Sequence, residues 1–376
     1  CSSHAIYWNL FFFQKLQHAN MRRSARAAAA QHQTNAHPRI QMQSAKQQAK
    51  SQVKSQHFFI RKNHFILTIF FQMPHCFMPR FKRHWRNFIF YAAVFLCAAL
   101  WFLCGADLPT SFTGKDEFFL GFRTPLEMME KDLWLFPQLD NVPRLRKPPL
   151  LYWLGRMAYE INGVSLFSIR AVSCLLSAFF IVAAVGIARH FGFKKLEAAV
   201  VALVIASSLG IATDAPRFML DMPTAAFSAL AFWCVLKTQQ QKMWIFLAAF
   251  FLACGFLTKG PIVFLLCGAG ILALILSGIW NIQSLIKNAA WIISAFAFWA
   301  ILALPWFVAV KNLYPETARA VFNDEIAARE IFKLHFTLFS GFLVVTMPWF
   351  FIGLVAIFKT FQKSTVNQTF FSKKYA

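Results

Sequence analysis

The stretch 78–105, MPRFKRHWRNFIFYAAVFLCAALWFLCG, places a basic head directly before an apolar run. Four Lys and Arg residues lie in the head, and the run of about 18 residues that follows carries no charge. A run of this length and polarity is typical of a helix that crosses a membrane. The basic head predicts that the helix begins on the cytoplasmic side.

Similar apolar runs fill most of the chain. Of its 376 residues, 58% are hydrophobic and only 14% are charged, whereas soluble domains carry about a quarter charged residues. The sequence therefore predicts an all-α polytopic membrane protein with about eight transmembrane helices. The expected spans are 88–105, 165–188, 198–212, 219–236, 243–258, 261–279, 289–310 and 337–358.

The segments between these spans alternate in charge. Those containing PRFKRHWR, RHFGFKK, KTQQQK, NIQSLIK and KTFQK are basic and acid-free, which predicts a cytoplasmic position. Nearly every acidic residue falls in the other set, which we expect on the external side; Glu197 is the exception.

The longest external segment, 106–164, contains two amphipathic stretches with apolar residues at three- or four-residue spacing. They are predicted to be helices that either lie flat on the membrane surface or dock on one another above the bundle. Their opposite, polar faces carry Glu127, Glu130, Arg156, Tyr159 and Glu160.

The two ends of the chain differ from its middle. Residues 1–77 contain no Asp or Glu, and we expect Met78 to be the true start. The upstream part is then a translated non-coding stretch or a disordered basic extension, with an organellar transit peptide as the alternative. Residues 78–358 form the expected membrane domain, and 359–376 a cytoplasmic tail or a truncation end.

The net charge of +23 does not indicate a nucleic-acid partner, because the basic residues mostly cluster beside apolar spans. The chain has no HExxH, P-loop, GxGxxG or GxSxG motif. The remaining candidates for a functional site are polar residues on the predicted external side. Membrane lipids are expected as partners.

Three carboxylates are the catalytic candidates. Asp116 and Glu117 are adjacent, so one can face a substrate while the other binds backbone, a cation or an arginine. Asp221 lies at the outer end of a predicted span, where an ionisable residue indicates function. Arg217, four residues earlier, is its expected helical partner, and an ion pair that merely braces helices is the structural alternative.

The cationic candidates for binding a lipid phosphate lie on the same side; they are Arg123, Arg144, Arg146, Lys147, Arg217 and Lys259. Arg144, Arg146 and Lys147 fall within four residues, before two prolines that keep the backbone extended. Such a segment suits a phosphate or pyrophosphate head group, or anionic lipid in general. Lys259, in FLTKGP, lies at the external junction of two spans, where snorkelling to the interface is the alternative explanation.

The order of these motifs resembles that of the membrane-embedded GT-C glycosyltransferases, in particular the aminoarabinose (lipid A) transferase and protein O-mannosyltransferase group. The resemblance covers residues 85–350. It rests on the acid pair after the first span, EMMEKDLWLFPQLDNVPRLRKPPLLYWLGR, RFMLDMPTAAF and FLTKGP.

The resemblance implies a function and roles for these residues. It implies transfer of a sugar, with inversion, from a polyprenyl-phosphate carrier to an acceptor on the periplasmic face of the bacterial inner membrane. Lipid A or another glycolipid is the expected acceptor, and a protein hydroxyl the alternative. Asp116 matches the aspartate required for transfer, Lys147 a phosphate-binding residue, Asp221 the second acid, and Lys259 the Lys-Gly-Pro turn.

The chain also departs from the family pattern. Arg146 stands where many relatives have Glu, which puts a divalent metal in doubt. Phe118 to Gly121 replace the Arg and Tyr of relatives, so that Arg123 is the nearest cation on the C-terminal side of the acid pair. Relatives have more spans and often a further domain, which predicts a truncated copy. A transporter and a non-catalytic membrane protein remain alternatives, although a transporter predicts charges within spans and related halves.

Overall fold

The computed structural model describes residues 77–108, 117–327 and 336–359. The chain divides into two units, Cys1–Arg83 and His84–Ala376, and every helix after the first lies in the second unit. A two-stranded hairpin, β1 (Gln138–Leu139) and β2 (Val142–Pro143), is the one sheet among the described residues. The helices are α1 (Phe77–Leu103), α2 (Thr124–Glu130), α3 (Leu150–Asn162), α4 (Leu166–His190), α5 (Lys195–Ala206), α6 (Leu209–Asp214), α7 (Asp221–Lys237), α8 (Trp244–Lys259), α9 (Ile262–Leu276), α10 (Ile282–Lys287), α11 (Ala289–Leu313), α12 (Pro315–Ala327), α13 (Phe336–Val345) and α14 (Trp349–Lys359).

The predicted fold class, an all-α polytopic membrane protein, is confirmed. Three helices of the described part are long and apolar enough to cross a membrane: Trp85–Leu103 within α1, α4 and α11. α8, α9 and α14 are shorter apolar helices. The expected number of eight spans is not confirmed, because several of the predicted segments form shorter helices than a span requires.

Two of the predicted spans are interrupted. The segment 198–212 divides between α5 and α6, and 337–358 divides between α13 and α14. At the first break the Ser207 hydroxyl donates to the Leu203 carbonyl (2.6 Å), and Ser208 donates to Val204 (2.8 Å). Hydroxyls that bond back to the preceding turn compete with the helical ladder, and they favour a bend there.

The two interrupted segments contact each other at their breaks. The Leu209 N–H donates to the Met347 carbonyl at 2.9 Å, and the Trp349 indole N–H donates to the Ser207 hydroxyl at 3.0 Å. Backbone groups in an apolar setting need such partners. Each break thus supplies hydrogen-bond partners to the other.

α7 packs against α4, α8 and α9. Small residues permit the close approaches. A Cβ on Gly186 of α4 would lie 2.1 Å from the Trp233 ring of α7, and a Cβ on Gly270 of α9 would lie 2.7 Å from the Phe232 ring of α7. Small residues at helix contacts are a common means of packing in membranes, where burial of apolar surface gives no driving force.

The amphipathic stretches of the external loop are docked on one another. α2 packs against α3, and Gly155 is so close to Pro125 and Ile169 that any side chain there would clash. The structure thus shows the docked arrangement; attachment to the membrane surface stays a prediction. The prediction that Arg156 and Tyr159 lie on an outward polar face was wrong, because both side chains are buried.

Candidate functional site

Of the two adjacent acids, the structure describes Glu117 but not Asp116. Asp116 lies outside the described residues, so its predicted catalytic role stays a prediction. Glu117 opens a short π-helical segment, Glu117–Arg123, that continues into α2. The Thr124 hydroxyl donates to the Phe119 carbonyl at 2.6 Å, across the junction of the two segments.

Glu117 forms a buried ion pair with Arg170 of α4. The Arg170 Nε lies 2.8 Å from Oε1 of Glu117, and Nη2 lies 3.1 Å from Oε2. The two side chains are 0% and 3% exposed. A bidentate pair of this kind fixes the orientation of the carboxylate as well as its position. Glu117 is therefore held inside the protein rather than presented to a substrate.

The same pair joins four separate parts of the chain. The second guanidinium nitrogen of Arg170, Nη1, donates to the carbonyls of Ala106 and Leu108, just after α1, at 3.2 and 2.9 Å. Glu117 Oε1 also accepts from the Phe218 backbone N–H at 3.1 Å. Phe218 lies three residues before Asp221, so the pair connects the acidic loop to the segment that begins α7.

A second buried arginine organises the outer loop. Arg156 donates to Asp132 at 2.6 Å and to Glu160 at 2.7 Å, and its guanidinium lies 3.9 Å from the centre of the Trp134 ring. It also donates to the carbonyls of Met128 and Leu133. These contacts account for its burial and give it a structural role.

The turn of the hairpin beyond α2 is held by hydrogen bonds to the Glu127 carboxylate. Asp140 and Asn141 both have positive φ, +54° and +64°, as the tight two-residue turn between paired strands requires. The Glu127 carboxylate accepts from their two backbone N–H groups at 2.7 and 2.8 Å, and from Lys131 at 2.5 Å. Burial alone would raise the pKa of Glu127, but these donors outweigh it and leave the pKa below its ordinary value.

The basic segment runs directly into α3, which follows Pro149. Arg144 lies beside the hydroxyl of Tyr152, and burial raises the pKa of that hydroxyl against a smaller opposing effect of the Arg144 charge. Arg146 is exposed and pairs with Asp324 of α12 at 3.1 Å. Lys147 is partly buried. The segment thus remains a candidate anion site, but Arg146 has an acidic partner.

Asp221 is the first residue of α7, as expected for a carboxylate at the end of a span. It forms an ion pair with Lys259, the last residue of α8, ahead of the turn at Gly260 (φ +80°). The Asp221 and Lys259 side chains are 61% and 32% exposed. This pair is therefore open to a ligand, unlike the pair of Glu117.

The expected partnership of Arg217 with Asp221 was wrong. α7 begins at Asp221, so Arg217 lies outside the helix and not one turn away along it. Its guanidinium lies 3.1 Å from Asp214, the last residue of α6. Arg123, the other cation of the acidic loop, pairs with Asp140 at 2.6 Å.

The structure brings together two of the predicted residues, Asp221 and Lys259, and it adds Arg170, which the sequence analysis did not select. Arg170 carried the same signal as Asp221, because it is a charge within the apolar run 165–188. Among the described residues, no group of three or more His, Cys, Asp or Glu is placed to hold a metal ion.

Comparison with known proteins identifies the family. Residues 123–318, just over half of the chain, match the family model described as dolichyl-phosphate-mannose-protein mannosyltransferase. The chain belongs to this family. The matched region runs from the end of the π-helical segment to α12, and contains the Asp221–Lys259 pair and the basic segment.

Curated relatives are similar to more than half of the chain. The undecaprenyl phosphate-alpha-4-amino-4-deoxy-L-arabinose arabinosyl transferase of Shewanella sediminis is 27% identical over 245 residues, which is 61% of this chain and 44% of the relative. A protein of the same name, numbered 1, from Pseudomonas fluorescens is 28% identical over 212 residues, covering 53% of this chain and 37% of the relative. The chain spans less than half the length of the curated relatives it matches.

Solved structures share the fold. The crystal structure of ArnT from Cupriavidus metallidurans bound to undecaprenyl phosphate matches with a TM-score of 0.59 at 20% identity, covering 69% of this chain and 49% of ArnT. Its apo state matches with a TM-score of 0.56 at 18% identity. The family match, the curated relatives and the shared fold together confirm the predicted resemblance to the aminoarabinose transferase and protein mannosyltransferase group.

Proposed function

We propose that this chain is the membrane-embedded part of a glycosyltransferase that takes a sugar from a polyprenyl-phosphate carrier. The observation that carries the proposal is the Glu117 carboxylate, which binds both Arg170 and the Phe218 N–H. Glu117 follows Asp116 in the chain, and its carboxylate binds the segment that leads into Asp221. The acidic motifs of two distant regions thereby belong to one assembly.

The donor class follows from the relatives. Those from Shewanella and Pseudomonas are named for undecaprenyl phosphate aminoarabinose, and the ArnT crystal structure holds undecaprenyl phosphate. A carrier of this kind is bound to the membrane, so its phosphate would lie at the level of the outer helix ends. The basic segment with Lys147 and Arg144 precedes α3 there, and cations suit a phosphate group.

The proposed reaction breaks one bond and forms one. The bond from the sugar C1 to the phosphate oxygen breaks, and the polyprenyl phosphate leaves with the electron pair. An acceptor oxygen forms the new bond to C1 from the opposite face, with inversion. Lys147 and its neighbouring cations stabilise the charge that develops on the departing phosphate. Asp116 orients the acceptor or takes its proton.

The acceptor that we propose is lipid A or another glycolipid at the periplasmic face of the bacterial inner membrane. A phosphate acceptor is already ionised, so a carboxylate needs only to position it. The family description, which names a protein mannosyltransferase, supports a second candidate, a Ser or Thr hydroxyl of a protein. A hydroxyl acceptor needs a general base, because it must lose its proton on attack.

Transfer from a radiolabelled polyprenyl-phosphate sugar in vesicles tests the role of Asp116. Asp116→Asn is expected to lower the transfer rate by at least about 100-fold, since the carboxylate contributes acid-base or positioning catalysis. Asp107→Asn is the matched control, because Asp107 is an exposed acid of the same loop, and it should leave the rate unchanged. Wild-type transfer by Asp116→Asn would remove Asp116 from the mechanism.

The phosphate role of Lys147 is tested by donor affinity in the same vesicles. Lys147→Ala is expected to raise the KM for the donor, because a charged partner of the phosphate is lost, and Lys147→Arg should restore part of the affinity. An unchanged KM in Lys147→Ala would refute the assignment. Supplying a glycolipid phosphate or a Ser/Thr peptide as acceptor then separates the two candidate acceptors.

A further inference from the structure

A cavity opens at the ends of α7 and α8 that are farthest from the Asp221–Lys259 pair, and it extends along α8 and α11 as far as Phe264 near the start of α9. Its volume is about 250 Å³, and its body is lined by apolar side chains of α8, α9 and α11, among them Leu252 and Phe264. Thr238, Gln239 and Lys242 line its other part. α7 has 17 residues, so the helix separates this end from Asp221 by roughly 25 Å. The polar end of the cavity is therefore distant from the Asp221–Lys259 pair, and the cavity lining includes neither of those two residues.

The charged side chains around the cavity are basic, with no acidic residue nearby in the sequence. From residue 222 to residue 315 the sequence contains no Asp or Glu. Lys242 and Lys287 are exposed at this end of the helices, and neither has an acidic partner among the described residues. The basic connections predict that this end faces the cytoplasm. Two lysines without counter-charges at a membrane surface are complementary to an anionic head group.

Aromatic side chains add two unsatisfied donors. Trp280 and Trp299 both line the cavity, and their indole N–H groups are buried with no acceptor in the described part of the chain. Buried donors are nearly always hydrogen-bonded in native proteins. At Trp280, which follows the end of α9, an ester or phosphate oxygen of a bound amphiphile would supply the missing acceptor, whereas a purely apolar ligand would not.

We propose that this cavity binds an acyl chain of an anionic glycerophospholipid from the cytoplasmic leaflet. The apolar lining holds the chain, and Lys242 and Lys287 bind the phosphate of the head group. The proposal is independent of the glycosyltransfer reaction, because the two sites share no residue. It assigns a second lipid to the protein in addition to the carrier, with its head group at the opposite membrane face.

Native mass spectrometry of the full chain in detergent tests the proposal with defined lipids. Phosphatidylglycerol should remain bound, and phosphatidylcholine of the same chain length should bind more weakly. The double variant Lys242→Ala/Lys287→Ala is expected to weaken phosphatidylglycerol binding by at least about tenfold, because each lysine near the surface contributes to the attraction. Lys311→Ala is the matched control, since Lys311 lies near the other end of α11, and it should bind as the wild type does.

Two further variants separate the cavity from its surface and from the carrier site. Ile292→Trp narrows the cavity without changing its charge, and it should also reduce phosphatidylglycerol binding. Lys147→Ala should weaken the binding of polyprenyl phosphate and leave the binding of phosphatidylglycerol unchanged. The proposal is overturned if phosphatidylglycerol and phosphatidylcholine bind alike, if no lipid remains bound, or if the double variant keeps wild-type affinity. The proposal is also overturned if the double variant loses binding of polyprenyl phosphate but keeps binding of phosphatidylglycerol.

Discussion

Two carboxylate–cation pairs lie at or near ends of the helices, and they differ chiefly in their access to solvent. Glu117 and Arg170 are sealed, with 3% and 0% of their side chains exposed, whereas Asp221 and Lys259 are open, at 61% and 32%. A sealed pair must satisfy its charges within the protein, so it fixes the fold around it. An open pair can exchange its partner for a ligand. Proximity to the membrane face therefore does not by itself identify a catalytic group.

The largest effect is expected from breaking the sealed pair. Arg170→Ala leaves the Glu117 carboxylate buried without its partner, which should cost about 3–5 kcal/mol of stability. Thermal unfolding in detergent, followed by circular dichroism, measures this loss. Arg217→Ala is the control, because its ion pair with Asp214 is partly exposed and its removal should change little.

A double variant sharpens the same prediction. Glu117→Met/Arg170→Met replaces both charges with apolar side chains of similar length, and it should recover much of the stability lost in Arg170→Ala. If the single and double variants are equally unstable, the cost comes from packing around α4 and not from an unpaired charge.

The Glu127 carboxylate accepts hydrogen bonds from the hairpin turn. Its removal should lower the free energy of unfolding by about 1–3 kcal/mol, which is less than the loss expected for Arg170→Ala. In the folded protein the Glu127 carboxylate has a pKa below its ordinary 4.5. It therefore stabilises the hairpin above pH 4.5, and this contribution is lost as the pH falls through the lowered value. Hydrogen exchange of the Asp140 and Asn141 amides should accelerate over that range, after correction for intrinsic rates. Glu127→Gln should remove the pH dependence; a pH response that persists in it would assign the effect to another group.

The open pair should contribute little stability. Asp221→Asn is expected to lower the free energy of unfolding by less than about 1 kcal/mol, because the Asp221 side chain is mostly exposed. In the vesicle assay, however, the same variant should reduce sugar transfer strongly. Exchange of the two charges, Asp221→Lys/Lys259→Asp, restores an ion pair but should not restore transfer. Full activity in the exchanged variant would show that the pair only braces α7 against α8.

The smallest effect is expected from Arg146 and Asp324, whose side chains are 66% and 62% exposed. Arg146→Ala should change thermal stability by at most a few tenths of a kcal/mol. A loss comparable with that of Arg170→Ala would mean that the contact between the basic segment and α12 supports the fold.

The sequence predicted the helices better than it predicted the side-chain partners. Long apolar runs determine where helices form in a membrane, so α4 and α11 closely follow the predicted spans 165–188 and 289–310. The break after α5 was missed because Ser207 and Ser208 lower hydropathy too little to divide a run, whereas the break after α13 carried a local signal, the helix-breaking Pro348, that hydropathy does not register. The contact that stabilises them joins residues far apart in sequence.

The candidate site was predicted in part. Asp221 and Lys259 were selected individually because each is an ionisable residue at a span end, but their contact depends on how α7 packs against α8. Arg217 was chosen as a partner from helical spacing, which fails because α7 begins only at Asp221. Arg170 lies 53 residues from Glu117, and no local pattern connects them.

The paired helix breaks have a consequence for the time course of synthesis. The Leu209 N–H finds its acceptor in the Met347 carbonyl, about 140 residues later in the chain. At 5–20 residues per second, translation needs roughly 7–28 s to reach that acceptor. During this interval the break after α5 lacks its native partner. A translocon, a lipid head group or water must therefore satisfy this backbone group until α13 and α14 arrive.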